Sequence, residues 1–273
     1  MKVYISADIE GVAGVSSWSQ LWPGKFEYET ARQWMTNEVL AAIRGAEKAG
    51  ATEFLVSDSH GVGENLLLDQ FPKNVEVVRS WPRPQQMMQG IEEGGFAGAL
   101  LIGYHTGASW ASGVMAHTLS GVYHAIRING VDVNEAYLSA GLAGHFGAPI
   151  LAVSGDSDLA EEIESFLPET EKIITKKSYG FTSIKTPPPE VVCGLIEERV
   201  EKSVLRRGEI KPFTAPAPLE LEIEFTDRIR AEIVNLLPIA ERTSACKVVL
   251  KPSDIGEAVR YLEFFAHYGR DRQ

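Results

Sequence analysis

Cysteine is scarce in this sequence: Cys193 and Cys246 are the only two among 273 residues, far apart and without CxxC spacing. That excludes a disulfide framework and a thiolate zinc site, and it fits a reducing compartment. Basic charge is short as well, with 26 Lys+Arg against 37 Asp+Glu for a formal net charge of -11. The basic residues gather only as pairs such as Lys176-Lys177 and Arg206-Arg207. This balance repels phosphate backbones and acidic membrane surfaces, so no nucleic acid and no membrane is expected as a partner. No segment approaches the ~20 apolar residues of a membrane span. The start, Met1 to Asp8, meets an acid before the apolar core of a signal peptide can fill, and the expected location is the cytoplasm. Internal repeats and low-complexity tracts are lacking too. What is present is the composition of an ordinary folded chain, 44% hydrophobic and 23% charged. A chain of this size buries roughly three quarters of its unfolded surface and needs no metal as a staple. Any metal is therefore expected to serve chemistry.

Val3 to Ala7 reads as a buried strand breaking into a loop at Asp8-Ile9-Glu10-Gly11. From Glu27 to Ala49, Ala31, Trp34, Met35, Val39, Ile43 and Ala46 recur at helical spacing, and Gly50 is placed to stop the helix. Glu53–Val56 is the next strand, running into Ser57-Asp58-Ser59-His60, so the first two strands pair in parallel through a right-handed crossover. Val75–Val78 is a short strand, Gln85–Gly90 a helix, and Ala97–Ile102 an apolar strand ending at Gly103-Tyr104-His105. Val122–Ile128 and Val131–Val133, joined by Asn129-Gly130, form a hairpin. A helix over Glu135–His145 and a strand Ile150–Val153 ending at Gly155-Asp156 follow. The expected fold class is α/β, a mainly parallel sheet flanked by helices, over residues 1–165. A smaller C-terminal α/β domain is expected over residues 166–273, serving packing and oligomer contacts. It holds a strand at Ile173–Thr175, a helix opened by Pro187-Pro188-Pro189, an alternating strand Leu219–Phe225, a strand Lys247–Leu250 and a helix Ser253–Tyr268.

Ligands of open α/β sheets bind at the carboxyl ends of the strands. Those ends carry Asp8 and Glu10, Asp58 and His60, His105, and Asp156. Asp8 and Glu10 stand two residues apart, the spacing that shares a face in extended backbone, and adjacent carboxylates call for a cation or a raised pKa. His60 and His105 add nitrogen at the same edge, a mixture that suits catalytic zinc, with Mn2+ or Co2+ as neighbours in hardness and geometry. With Glu135 after the hairpin there are five candidate metal ligands, natural for two metals bridged by a shared carboxylate. His117, a short loop after His105, is a further nitrogen ligand or a general base. Each residue alone also has a plainer role: a strand-end acid caps a helix, and a lone histidine sits half-buried with its hydrogen bonds satisfied. That plainer role is assigned to His124, His145 and His267. Gly11-Val12-Ala13-Gly14 lacks the third glycine of a nucleotide loop, and the acids before it repel a pyrophosphate.

Taken in order, Ser6–Gly14, Val56–His60, Leu101–His105, Gly113–Thr118, Asn134-Glu135 and Val153–Asp156 resemble the DppA-type zinc-dependent D-aminopeptidases over nearly the whole chain. The resemblance implies a metallo-aminopeptidase with two Zn2+ per subunit, removing N-terminal D-amino acids, D-Ala above all, from short peptides. It implies Asp8 as the bridge, Glu10 and His105 completing one site, His60 and Glu135 the other, and His117 as the catalytic residue, nucleophile or general base. It also implies a homodecamer. The sequence departs from the family pattern around Trp18–Lys25, Trp81–Gln89 and most of residues 165–273, expected pocket walls and contact surfaces. A metal-dependent amidase or phosphoesterase, and a non-catalytic dipeptide-binding protein, are the alternative classes.

Overall fold

Val3–Ala7 is apolar on both faces because it runs through the middle of a covered sheet. In the computed structural model, which describes residues 1–268, this run is β1 (Lys2–Ala7), and Val3, Tyr4, Ile5 and Ala7 have no solvent exposure. Positions 269–273, the end of the expected C-terminal domain, lie outside the described residues. After β1 come α1 (Tyr28–Lys48), β2 (Glu53–Asp58), β3 (Val75–Val78), β4 (Phe96–Tyr104), β5 (Tyr123–Ile128) and β6 (Val131–Asp132). Then follow α2 (Glu135–His145), β7 (Ile150–Asp156), α3 (Ser157–Glu162), β8 (Glu171–Gly180), β9 (Ser183–Lys185) and α4 (Pro189–Leu205). The chain closes with β10 (Leu221–Phe225), α5 (Arg228–Val234), β11 (Ala240–Arg242), β12 (Lys247–Leu250) and α6 (Ile255–His267).

The first sheet has the order β3-β2-β1-β4-β7-β8-β9, parallel as far as β8 with β9 antiparallel at its edge. Strand order therefore turns outward in both directions from the β1/β4 pair, the switch point where such sheets hold ligands. Alternation along each strand sorts side chains to two cores. Val3, Ile5, Val56, Leu100 and Ile102 pack beneath α1 and α4, while Tyr4, Leu55, Ala99 and Leu101 face α2, α6 and the second sheet. None of the helices among the described residues is long and apolar enough to cross a membrane.

The second sheet is antiparallel, in the order β11-β12-β10-β5-β6. Its membership crosses the 165/166 boundary expected from the sequence: the Asn129-Gly130 hairpin joins β10, and β8 and β9 extend the first sheet. Gln85–Gly90 is also not a helix. It forms one 3-10 turn at Gln86–Met88, because Gln86 at φ 52° and Gly90 at φ 95° leave the helical region.

Candidate metal centre

Asp8 and Glu10 follow β1, His60 follows β2 and His105 follows β4, so three adjacent parallel strands deliver these side chains to one edge. Glu135 arrives from the other core as the first residue of α2, whose start is fixed by Asn134 accepting from Tyr137 N at 2.8 Å. His117 comes from the loop after β4, where Met115 and Leu119 both take positive φ. All six residues expected from the sequence converge.

The three histidines share one arrangement. His60 Nε2 lies 3.0 Å from the Leu21 carbonyl, His105 Nδ1 2.9 Å from the Thr106 carbonyl and His117 Nδ1 2.9 Å from the Met115 carbonyl. Each of those nitrogens donates its N–H to a carbonyl, so a neutral ring turns the other nitrogen's lone pair toward the acids, as a metal ligand must. His60 Nδ1 then stands 3.2 Å from Asp8 Oδ1 and 3.1 Å from Glu10 Oε2. His105 Nε2 stands 3.4 Å from both Asp8 Oδ2 and Glu135 Oε2, buried and without a hydrogen-bond partner. His117 Nε2 is 3.9 Å from Glu135 Oε1, and its ring stacks on that of His105 at 4.2 Å.

Asp8 thus turns one oxygen to His60 and the other to His105, and the pairing implied by the resemblance is corrected: Glu10 groups with His60 and Glu135 with His105. Glu10 follows the strand beside that of His60, while Glu135 comes from the far side of the sheet. Donor atoms lie within 4.8 Å of one another in three trios: Asp8-Glu10-His60, Asp8-His105-Glu135 and Glu10-His105-His117. Asp8, Glu10 and Glu135 are each at most 3% exposed, and buried carboxylates facing imidazole lone pairs need positive charge between them. Burial drives the Asp8 carboxyl up, and the Glu10 charge adds to it. Burial opposes charge on His60 and His105 as well, yet Glu10 and Asp8 around the one, and Glu135 and Asp8 around the other, hold both rings well above the usual imidazole range. Glu10 and Glu135 are held low despite burial, by His60 and His105 respectively. An oxygen-rich, imidazole-containing set with the orphaned His105 Nε2 aimed into it fits divalent cations.

A cleft of about 300 Å3 opens over these groups, its walls including Trp18, Trp22, Trp81, Met87 and His267. Trp22 lies against His60 and Trp18 against His117, with ring centres 5.6 and 6.3 Å apart. His267, read from the sequence as a plain helix residue, reaches the cleft from the last turn of α6, whereas His124 and His145 are exposed elsewhere. Asp58 and Asp156 serve structure. Asp58 accepts from Asn65 N and Leu66 N, which shapes the loop after His60, and Asp156 caps α3 and accepts from Val114 N at 2.8 Å.

Sequence reasoning missed two buried groups behind the Asp8–Val15 loop, Lys176 and Glu38. Burial pulls the Lys176 amine down to about 8. Burial pushes the Glu38 carboxyl up to about 7, although Ala13 N donates to its Oε1 at 2.8 Å and Lys176 is near. A carboxyl raised on folding contributes stability that is fully present below its ordinary value of 4.5 and is lost as pH rises through about 7. From roughly pH 5.5 to 8 the protein should lose about 2 kcal/mol through this group. E38Q should lack that loss, so urea denaturation of both proteins at the two pH values should show the wild type falling relative to E38Q. Parallel pH dependences would remove Glu38 as the cause.

The D-aminopeptidase family model matches residues 1–264. A D-aminopeptidase of Bacillus subtilis (strain 168) is 34% identical over 260 residues, covering 94% of each chain. Among solved structures, the Zn-dependent D-aminopeptidase DppA from Bacillus subtilis, a self-compartmentalizing protease, superimposes with a TM-score of 0.92 at 32% identity. That match covers 97% of this chain and 96% of the other. Since the matched span takes in both sheets and every residue of the converging cluster, the chain belongs to the D-aminopeptidase family.

Proposed function

We propose that this protein is a zinc-dependent aminopeptidase that holds two zinc ions per subunit and releases N-terminal D-amino acids, of the D-Ala type, from short peptides. The observation that carries the reading is Asp8, which offers one carboxylate oxygen to each of two histidine-containing donor sets. Asp8, Glu10, His60, His105 and Glu135 would hold the metals, with Asp8 common to both donor sets. Zinc bound there supplies Lewis acidity toward a peptide carbonyl and readies water for attack at neutral pH.

The rest follows from the chain's own side chains. With Nδ1–H given to the Met115 carbonyl, His117 presents Nε2 to the cleft, as general base or as nucleophile. The Met115 carbonyl and the stacked His105 ring hold that imidazole in place, while Glu135 Oε1, 3.9 Å from Nε2, is anchored by Leu119 N at 2.6 Å. Trp18, Trp22 and Trp81 give the cleft aromatic walls.

H117A should retain its metals and lose roughly 10²- to 10⁴-fold in turnover of D-Ala peptides. Near-wild-type turnover with full metal loading would remove His117 from the chemistry. The function itself is tested by metal content together with a substrate panel of D- and L-alanyl amides, D-Ala-D-Ala and a chromogenic phosphate ester. Fewer than two zinc equivalents in active enzyme, or preference for the L-amide or the phosphate ester, would overturn the reading. Manganese and cobalt belong in the same metal panel. A homodecamer is proposed as the assembly, supported by likeness to a self-compartmentalizing protease and read by analytical ultracentrifugation. The cytoplasm is proposed as its compartment, on the free Cys193 and Cys246.

A further inference from the structure

We propose that Lys176, assisted by Thr175, is a positioning residue for the metal ligands Asp8 and Glu10. The inference rests on the reading of those acids as zinc ligands. Lys176 is 1% exposed and spends all three ammonium donors on backbone carbonyls of one loop. It donates to Glu10 O, to Val12 O at 2.9 Å and to Val15 O at 2.6 Å. Thr175 Oγ1 lies 2.5 Å from Gly11 O and 3.0 Å from Gly155 O. Four carbonyls of the segment that carries Glu10 are therefore gathered by two consecutive side chains.

Consecutive residues of a regular strand point to opposite faces. Here the β7/β8 register slips: Gly155 pairs with Ile174 and Asp156 with Lys176, so Thr175 is left between them. The slip lets Thr175 and Lys176 both face inward, and both are buried while Ile174 is exposed. Irregularities of this kind re-aim side chains beside functional sites. On the other side Glu38 holds Ala13 N, so a cation and an acid clamp the loop backbone between β8 and α1.

Geometry and charge make opposite forecasts. A positive charge behind the site repels a divalent cation, so if Lys176 acted only through its charge, a neutral replacement would tighten zinc binding. If it acts by holding the loop, the replacement orphans three buried carbonyls, lets Glu10 wander and weakens zinc binding. Partners that orient metal ligands typically carry 10- to 100-fold in metal affinity.

The experiment measures zinc affinity by chelator competition for full-length wild type, K176M, T175V and V248A, with melting temperatures alongside. Val248 is fully buried in the second sheet, so V248A reports destabilisation remote from the loop. Weakening of about tenfold or more in K176M, and about threefold or more in T175V, is expected, with wild-type affinity in V248A. Equal or tighter zinc binding by folded K176M overturns the proposal, as does equal weakening in V248A at a matched melting temperature. If K176M does not fold, T175V decides, and wild-type affinity there overturns it. A wild type that takes up no zinc would instead refute the zinc reading itself.

Discussion

D8N should drop from two bound zinc equivalents to one and lose about 10³-fold or more in kcat/KM on a D-Ala peptide. Asparagine keeps the shape of Asp8, and its orientation is dictated locally: Ile9 N donates to Oδ1 at 2.8 Å and needs an oxygen there. That oxygen is also the one facing His60, so the Asp8-Glu10-His60 trio keeps its donor atom. The amide nitrogen then takes the place of Oδ2, which faces His105. An amide N–H₂ carries no lone pair for a cation, so the Asp8-His105-Glu135 trio is the one expected to empty. Losing one arm of a two-metal clamp removes several kcal/mol of transition-state stabilisation, and each 1.36 kcal/mol is about tenfold in rate. Misfolding is separable, because burial and the Glu10 charge both disfavour the Asp8 carboxylate. Metal-free D8N should therefore unfold no earlier than the metal-free wild type. Elemental analysis with steady-state kinetics checks this result, and two retained equivalents with activity within tenfold of wild type would deny Asp8 the bridging place.

How much of this was legible in the sequence follows from how local each signal is. Asp8-x-Glu10, Asp58-Ser59-His60 and Gly103-Tyr104-His105 announce themselves because each ends a short apolar run, and parallel strands must bring such ends to one edge. The helix from Glu135 was readable after the hairpin, while the Asn134 cap that starts it emerged only from the structure. Long-range partners were not. Leu221–Phe225 alternates visibly, but nothing within it says that Ile223 will lie opposite Ile126, which draws β5 and β6 away from the strands that precede them. The cleft wall has the same difficulty: Trp81 and His267 are 6.4 Å apart between ring centres and far apart in the chain. Lys176 was hidden for a different reason. Beside Lys177 it reads as a surface pair, and only the slipped register of β8 turns one lysine inward and leaves the other out.

G11A is expected to weaken the fold and the donor sets together. Gly11 sits where the loop after β1 crosses the end of β4, and the two backbones nearly touch. A Cβ on Gly11 would stand 1.9 Å from Tyr104 O and 2.6 Å from the Gly103 carbonyl carbon. Gly103 answers from the other side at φ 73°, where a Cβ would come within 2.3 Å of Asp8 O. Neither neighbour is a flexible side chain, so the backbones themselves must part. Parting them strains Gly11 N to Gly103 O and Asp8 N to Ile102 O, both 2.8 Å hydrogen bonds, and the Thr175 bond to Gly11 O. Those bonds tie Asp8 and Glu10 to the strand that presents His105, so the donor sets should lose register as the fold weakens. Overpacking that displaces backbone costs about 3 kcal/mol, and the broken buried hydrogen bonds add to it. G194A is the matched control, in α4 with nothing within 4 Å of the added methyl. It should be neutral or gain up to about 1 kcal/mol through helix propensity. Urea denaturation of the two variants should therefore move in opposite directions, with zinc uptake lost only in G11A. A G11A protein as stable as the wild type and fully loaded would mean that the β1 and β4 ends can separate without disturbing the acids and histidines they carry.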